Sequence, residues 1–148
     1  MTFSERIGIE KQQAADGHSV IEIEIDDRHL NRRGIAHGGV LCSLLDDTIG
    51  MAVHSLLGPA GAASTADLTV YFLRPVLPGR LRGEGRVLRR GRRLIVGEGT
   101  LFDGEGRPVA HGVGSWAVLR DDAQPADGRR DDADGEAKPP SPQGHRGG

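Results

Sequence analysis

Over residues 20–26 the chain alternates strictly: Ile21, Ile23 and Ile25 are apolar, while Glu22, Glu24 and Asp26 are acidic. A period of two predicts a strand with one buried and one wet face. Residues 27–39 read as a loop. From 39 to 57 the period changes, and Leu41, Leu44, Leu45, Thr48, Ile49, Ala52, Val53 and Leu56 recur at spacings of three and four. That spacing predicts a helix, and its wide apolar stripe predicts that the helix is mostly enclosed. Gly58-Pro59 ends it. Alternation returns over 64–74, with Ala66, Leu68, Val70 and Phe72 as one set, closed by Pro75 and Pro78-Gly79. Two further strands, 81–90 and 92–102, meet at a hairpin turn on Gly91. A second turn over 103–106 leads to a last strand, 109–119.

The predicted order is β-α-β-β-β-β. Strands joined by short turns must run antiparallel, so one helix faces one antiparallel sheet, an α+β domain. Gly83 and Gly85, Gly97 and Gly99, and Gly112 and Gly114 place a G-x-G in each of three neighbouring strands. Glycine inside a strand weakens it and marks a bend or a close backbone approach. Three such pairs predict a sheet that curls tightly around the helix.

Composition limits the architecture. Aromatics are 3% of 148 residues, so the core must be aliphatic and modest, and self-association is expected. Residues 121–148 contain no aromatic and no β-branched residue. Such a segment cannot bury enough apolar surface to offset its ordering entropy, so the predicted domain is 1–120 and 121–148 a disordered tail. A net charge of −2 argues against nucleic-acid binding. The single cysteine, Cys42, excludes a disulfide framework and a Cys-rich metal site. No pair of histidines has metal-ligand spacing, so no metal is expected. Neither a secretory leader nor a membrane span is visible, and a cytoplasmic protein is the expectation.

The helix carries two acids, Asp46 and Asp47, in an otherwise apolar surround, which is costly unless they are paired or have a task. Asp46 shares a face with Gly39, Cys42, Ser43 and Gly50, a stripe of small residues with room for a ligand or another backbone. Asp47 shares its face with Leu44, Gly50, Met51 and His54. Either acid could lie at a wet helix edge, and Asp47 could pair with His54. A carboxylate in such a niche can act as nucleophile or general base. The helix opens at His37-Gly38-Gly39. Free N–H groups at a helix start attract negative charge, and glycine admits a ligand close to the backbone. A thioester carbonyl there would be polarised as its oxygen gains charge.

Asn31, His37-Gly38-Gly39 and Asp46, read in the run NRRGIAHGGVLCSLLDD, together with STADLTVYFLRPVLPG downstream, resemble the hotdog-fold acyl-CoA thioesterases of the phenylacetate-degradation (PaaI-like) type. The resemblance covers about residues 18–119. It implies a curled antiparallel sheet wrapped around one central helix. It implies Asp46 as the catalytic acid, Gly38 as the glycine whose N–H polarises the carbonyl, and Asn31 as a holder of the carbonyl or the water. It implies His37 near the thioester or its leaving group, and Thr65 orienting the water beside the acid. The implied site lies between two subunits. Asn31 and the His37-Gly38 turn come from one chain, Asp46 and Thr65 from the other, in a homodimer that pairs sheets edge to edge and can pair again into a tetramer. The implied reaction hydrolyses a small aromatic or medium-chain acyl-CoA, with no cofactor beyond the coenzyme A of the substrate. Asp47 is a departure, since many relatives have Thr or Asn there.

Arg90, Arg92 and Arg93, nearest the Gly91 turn, suit the phosphates of coenzyme A, with Gly39 beside the substrate. They equally suit a hairpin kept soluble by charge. Cys42 reads as core filling; His18, His29 and His145 read as surface, His54 and His111 as core or surface. Two other functions of such a fold call for different residues. An enoyl-CoA hydratase or dehydratase of this fold needs an Asp-His segment, which Asp26-Asp27-Arg28-His29 does not match. A non-catalytic acyl-CoA-binding protein would lack the acid that Asp46 supplies.

Overall fold

The computed structural model describes residues 1–119, so the predicted tail over 121–148 lies outside the described residues. The isoleucine alternation folds as strand β2 (His18–Ile25), with Ile21, Ile23 and Ile25 at most 2% exposed. The helix predicted over 39–57 is α2 (Gly38–His54), with Leu44, Leu45, Ile49, Ala52 and Val53 fully buried. Burying a Leu, Ile or Val contributes roughly 1.5–3 kcal/mol each, so an aliphatic helix holds its place without aromatic anchors. The remaining strands are β3 (Ala62–Phe72), β4 (Gly79–Arg90), β5 (Leu94–Asp103) and β6 (Pro108–Leu119).

An element that the hydrophobic pattern does not announce precedes these. A short helix α1 (Phe3–Arg6) leads into strand β1 (Ile9–Ala15), which pairs antiparallel with β2. The order is therefore α-β-β-α-β-β-β-β among the described residues, one strand longer than predicted. β1 was hidden because it is a polar edge strand; most of it is exposed. Its turn was readable: Asp16-Gly17 joins Ala15 to His18, both with positive φ (50° and 77°), the backbone of a two-residue hairpin.

The strands form one antiparallel sheet in the order β1-β2-β4-β5-β6-β3, with α2 packed on β2, β3, β4, β5 and β6. The G-x-G pairs do what they predict. A Cβ at Gly83 would stand 2.5 Å from Thr48 Oγ1, one at Gly85 2.7 Å from the Thr48 carbonyl, and one at Gly97 2.6 Å from Ile49 Cγ2. The strand backbone therefore lies directly against α2, against its own backbone at Gly85 and against the Thr48 and Ile49 side chains at Gly83 and Gly97. Ser19 Oγ, donating to the Thr48 carbonyl at 2.5 Å, ties β2 to the same turn of α2.

β3 is a sheet edge and is mostly exposed. Its ladder with β6 slips between Thr65 and Asp67: Thr65 faces Trp116 and Asp67 faces Ser115, leaving Ala66 as a bulge. Asp67 Oδ1 accepts the Ser115 N–H at 2.9 Å and repairs the ladder there. Strand side chains change face at every residue, so one extra residue reverses the phase. Thr65 and the half-buried Leu68 and Val70 consequently share the helix-facing side. Phe72, predicted with the inward set, is 55% exposed. Among the described residues no helix is long and apolar enough to cross a membrane.

Candidate active site

The bulge aims Thr65 at α2. Its Oγ1 donates to Asp46 Oδ1 at 2.8 Å, leaving Oδ2 of a half-buried carboxylate unengaged by it. The two acids are separated in role. Asp46 faces the groove between α2 and β3. Asp47 accepts from Ser4 Oγ at 2.6 Å and so pins α1 to the helix. Burial pushes the Asp47 carboxyl above its ordinary range; the Ser4 hydrogen bond opposes this and the Asp46 charge adds to it. The alternative of Asp47 pairing with His54 does not occur. His54 Nδ1 lies 2.8 Å from the Gly50 carbonyl and donates to it.

The groove encloses about 340 Å³. Asp46, Asp47, Gly50, Met51 and His54 line it from the helix, Ala63, Ser64 and Thr65 from β3, and Trp116 from β6.

The other predicted residues gather at the start of α2. His37 is the N-cap, and its Nδ1 accepts the Gly39 N–H at 2.9 Å. The Val40 N–H goes to the His37 carbonyl at 2.9 Å. The Gly38 N–H has no partner among the described residues, so the cap leaves this one donor open. With Nδ1 accepting, the proton of a neutral His37 ring is on Nε2, which is free to donate outward. Asn31 is the first residue of the loop closed by the Leu30–Ala36 bridge, and its N–H donates to the Ile35 carbonyl at 2.8 Å. Its Oδ1 accepts the Arg33 N–H at 2.8 Å, so its side-chain NH₂ is the part it can offer a ligand.

Asp46 with Thr65, and Asn31 with His37-Gly38-Gly39, are thus two separate half-sites on one chain. The eight helical steps from Gly38 to Asp46 amount to about 12 Å along the axis. Helical N–H groups also point away from the C-terminal end, so a carbonyl held by Gly38 lies farther still. Arg90 and Arg92 are exposed at the β4–β5 hairpin, and Arg93 beside them holds its carbonyl to the Val118 N–H. This hairpin is at the C-terminal end of α2, remote from Gly38. Ile95, opposite Arg90, packs with Ile49 and Val53.

Two sequence readings change. His29 is 2% exposed rather than on the surface. Its Nε2 lies 2.8 Å from the Ile7 carbonyl and its Nδ1 takes the Asp26 N–H at 3.0 Å, stapling the chain before β1 to the turn after β2. Cys42 is half-buried rather than enclosed. Trp116 carried no sequence signal for a site, because its neighbours Ser64 and Thr65 reach it only through strand pairing.

The curled sheet around one helix is the hotdog fold, and the sequence profile of the Thioesterase superfamily matches residues 33–110. The chain belongs to that superfamily. A protein of Saccharolobus solfataricus that bears an esterase name is 36% identical over 108 residues, 73% of this chain and 76% of that one. The PaaI protein of the Escherichia coli phenylacetic acid degradation operon superposes with a TM-score of 0.73 at 25% identity, over 79% of this chain and 83% of its own. Smu.793 of Streptococcus mutans, solved bound to acetyl-CoA, gives a TM-score of 0.69 at 26% identity, over 74% and 90%. These likenesses mark the chain as a hydrolase of the thioesterase type and as PaaI-like in fold.

Proposed function

We propose that the protein hydrolyses a small aromatic or medium-chain acyl-CoA at a site built by two copies of the chain. The hydrogen bond from Thr65 to Asp46 carries the reading: it fixes a groove-facing carboxylate with one oxygen left to react. The Gly38 N–H of one copy polarises the thioester carbonyl, with Asn31 and His37 beside it. Asp46 of the other copy attacks the carbonyl carbon to form a mixed anhydride that water then hydrolyses, or takes a proton from a water that attacks the carbonyl itself. Coenzyme A leaves as the thiol and the acid departs. No further cofactor enters.

Two observations favour a two-chain site. The axial gap between Gly38 and Asp46 is too long for one carbonyl to meet both. The long β3 edge is also open and apolar toward its end, with Tyr71, Phe72, Leu73 and Leu77 50–68% exposed. An uncovered edge of that kind pairs readily with another strand. A homodimer through β3 is the proposed unit, with a dimer of dimers as its extension. The acetyl-CoA on the Streptococcus mutans neighbour supports an acyl-CoA as ligand.

The experiment is thiol release from a panel of acyl-CoAs by the wild type and two variants. Asp46→Asn removes the reacting group. Gly38→Pro removes the N–H and sets a ring in its place, with Cβ 3.4 Å from Phe72 Cζ; position N1 of a helix tolerates proline, and His37 before it has φ −64° and ψ 137°, which proline accepts. Each variant should lose about 10²-fold or more in kcat. Co-assembled one to one, they should regain about one quarter of wild-type activity, because half the dimers then hold one intact site. Full activity in Asp46→Asn sinks the assignment of the acid; a mixture with no recovery sinks the two-chain site.

A further inference from the structure

A buried imidazole stands behind the half-site that holds the thioester carbonyl. His29 is 2% exposed and ends the short 3₁₀ turn Asp27–His29 that follows β2. Its ring is engaged on both sides: Nδ1 accepts the Asp26 N–H at 3.0 Å, and Nε2 donates to the Ile7 carbonyl at 2.8 Å. A carbonyl can only accept, so the ring proton is on Nε2, and the ring that makes both bonds is a neutral imidazole of one tautomer. The charged group facing it is the Asp26 carboxylate, with Oδ1 3.1 Å from Nδ1. Arg28 holds that carboxylate from outside at 2.8–3.2 Å.

The backbone of the same residue reaches the site. The His29 carbonyl accepts the His37 N–H at 2.8 Å. His37 is the N-cap, and its ψ of 137° aims the next N–H along the chain, that of Gly38. In the other direction Asn31 follows His29 by two residues. From Asn31 to Ile35 no residue is buried, so this loop has little packing of its own. It is closed on itself through Asn31 and Ile35, and beyond residue 29 its fixed point is the buried Ala36, whose N–H meets the Val76 carbonyl at 2.8 Å. Asn31, His37 and Gly38 therefore take their position from residue 29, and the ring bolts residue 29 to the end of β2 and to the segment before β1. A leucine there would fill the space and leave the Asp26 N–H and the Ile7 carbonyl without their partner.

We infer that His29 is a positioning residue for thioester hydrolysis, acting through the His37 backbone to aim the Gly38 N–H at the thioester oxygen. The inference rests on the thioesterase reading. A donor stabilises the developing oxyanion only when it stands about 2.7–3.1 Å from where that oxygen will be. A misplacement of about 1 Å costs about 10²-fold in rate. His29 is buried behind the loop and touches no substrate, so its effect falls on kcat and leaves the grip on coenzyme A as it was.

The test separates aim from stability. His29→Leu removes both ring bonds. His29→Asn keeps an acceptor near the place of Nδ1, and His29→Gln keeps a donor near the place of Nε2. His29→Leu should lower kcat by about 10–100-fold on the acyl-CoA that the wild type cleaves fastest, with KM changed by less than about threefold. The Asn and Gln variants, each retaining one bond, should fall between it and the wild type. All rates are taken well below the Tm of each variant, so that lost fold is not counted as lost rate. The direct readout is the infrared carbonyl stretch of the bound thioester, isotope-labelled at the carbonyl carbon, in an Asp46→Asn background where the ester survives. A well-aimed Gly38 N–H lowers that frequency, and adding His29→Leu should undo most of the lowering. A His29→Leu protein that melts lower yet keeps kcat within about twofold of the wild type overturns the inference. An unchanged carbonyl frequency does the same, and in both cases the thioesterase reading stands. If His29→Leu does not fold, the same two outcomes in His29→Asn and His29→Gln decide. A wild type that cleaves no acyl-CoA of the panel overturns both.

Discussion

Replacing Gly97 by alanine tests whether the sheet glycines set the helix position. The added methyl would stand 2.6 Å from Ile49 Cγ2 and 3.2 Å from the Arg86 carbonyl, and Ile49 is fully buried. Overpacking of this kind costs about 1–3 kcal/mol. Alanine is otherwise preferred to glycine inside a strand by about 0.5–1 kcal/mol, which offsets part of that. The net expectation is a loss of about 1–2 kcal/mol, or about 3–8 °C in Tm for a domain of this size. Ile49→Ala alone leaves a cavity and should cost about 2–5 kcal/mol. In that background the clash is gone and the new methyl fills part of the void, so Gly97→Ala should turn neutral or stabilising. The double-mutant cycle would then show a coupling of about 2 kcal/mol. Urea denaturation of the four proteins at fixed protein concentration measures it, the fixed concentration being needed because association adds to apparent stability. If Gly97→Ala costs the same with and without Ile49, the glycine is not there to admit the helix, and the packing argument fails.

Two further outcomes are expected. Asp47→Asn keeps an acceptor for Ser4 and removes the charge. Because burial raises the Asp47 pKa in the fold, its protonation contributes stability that is present below the ordinary carboxylate pKa and lost as pH rises through the folded value. The variant should therefore melt above the wild type at neutral pH, with the gap closing toward about pH 4; a gap that widens on acidification would contradict the burial assignment. Arg90→Glu with Arg92→Glu should raise KM for acyl-CoA several-fold, more at low salt, while leaving rates on a short thioester without a nucleotide unchanged. Equal effects on both substrates would make the hairpin structural.

The parts of the fold that could be read directly were those in which one residue type answers to one neighbour. The isoleucines of β2, the enclosed face of α2 and five of the six G-x-G glycines report contact between sheet and helix, while Gly114 instead meets the Asp67 carbonyl of β3. β1 could not be read from apolar alternation, since an edge strand with polar residues on both sides has none; only Asp16-Gly17 marked it. The site was half legible. Asp46 stands out by its place on an apolar helix and, with Thr65, by resemblance, but alternation with Ala66, Leu68 and Val70 puts Thr65 on the opposite face. The bulge at Ala66 reconciles the two, and no local residue pattern announces a bulge without its partner strand. Trp116 was silent for the same reason, because its place depends on which strand lies beside β6. The burial of His29 is invisible locally because it comes with Ile7, twenty-two residues away in the chain.

One consequence follows from both half-sites being mounted on α2. The stretch from Gly38 to Asp46 acts as a ruler, and inserting a single residue there would turn Asp46 through about 100° and advance it about 1.5 Å. It would then face the sheet or the bulk rather than the groove, while Gly38 stayed put. Loops beyond His54 carry no such restriction. Descendants of this chain can therefore lengthen or shorten around the groove freely, but within those eight steps of the helix they can exchange side chains and never change the count.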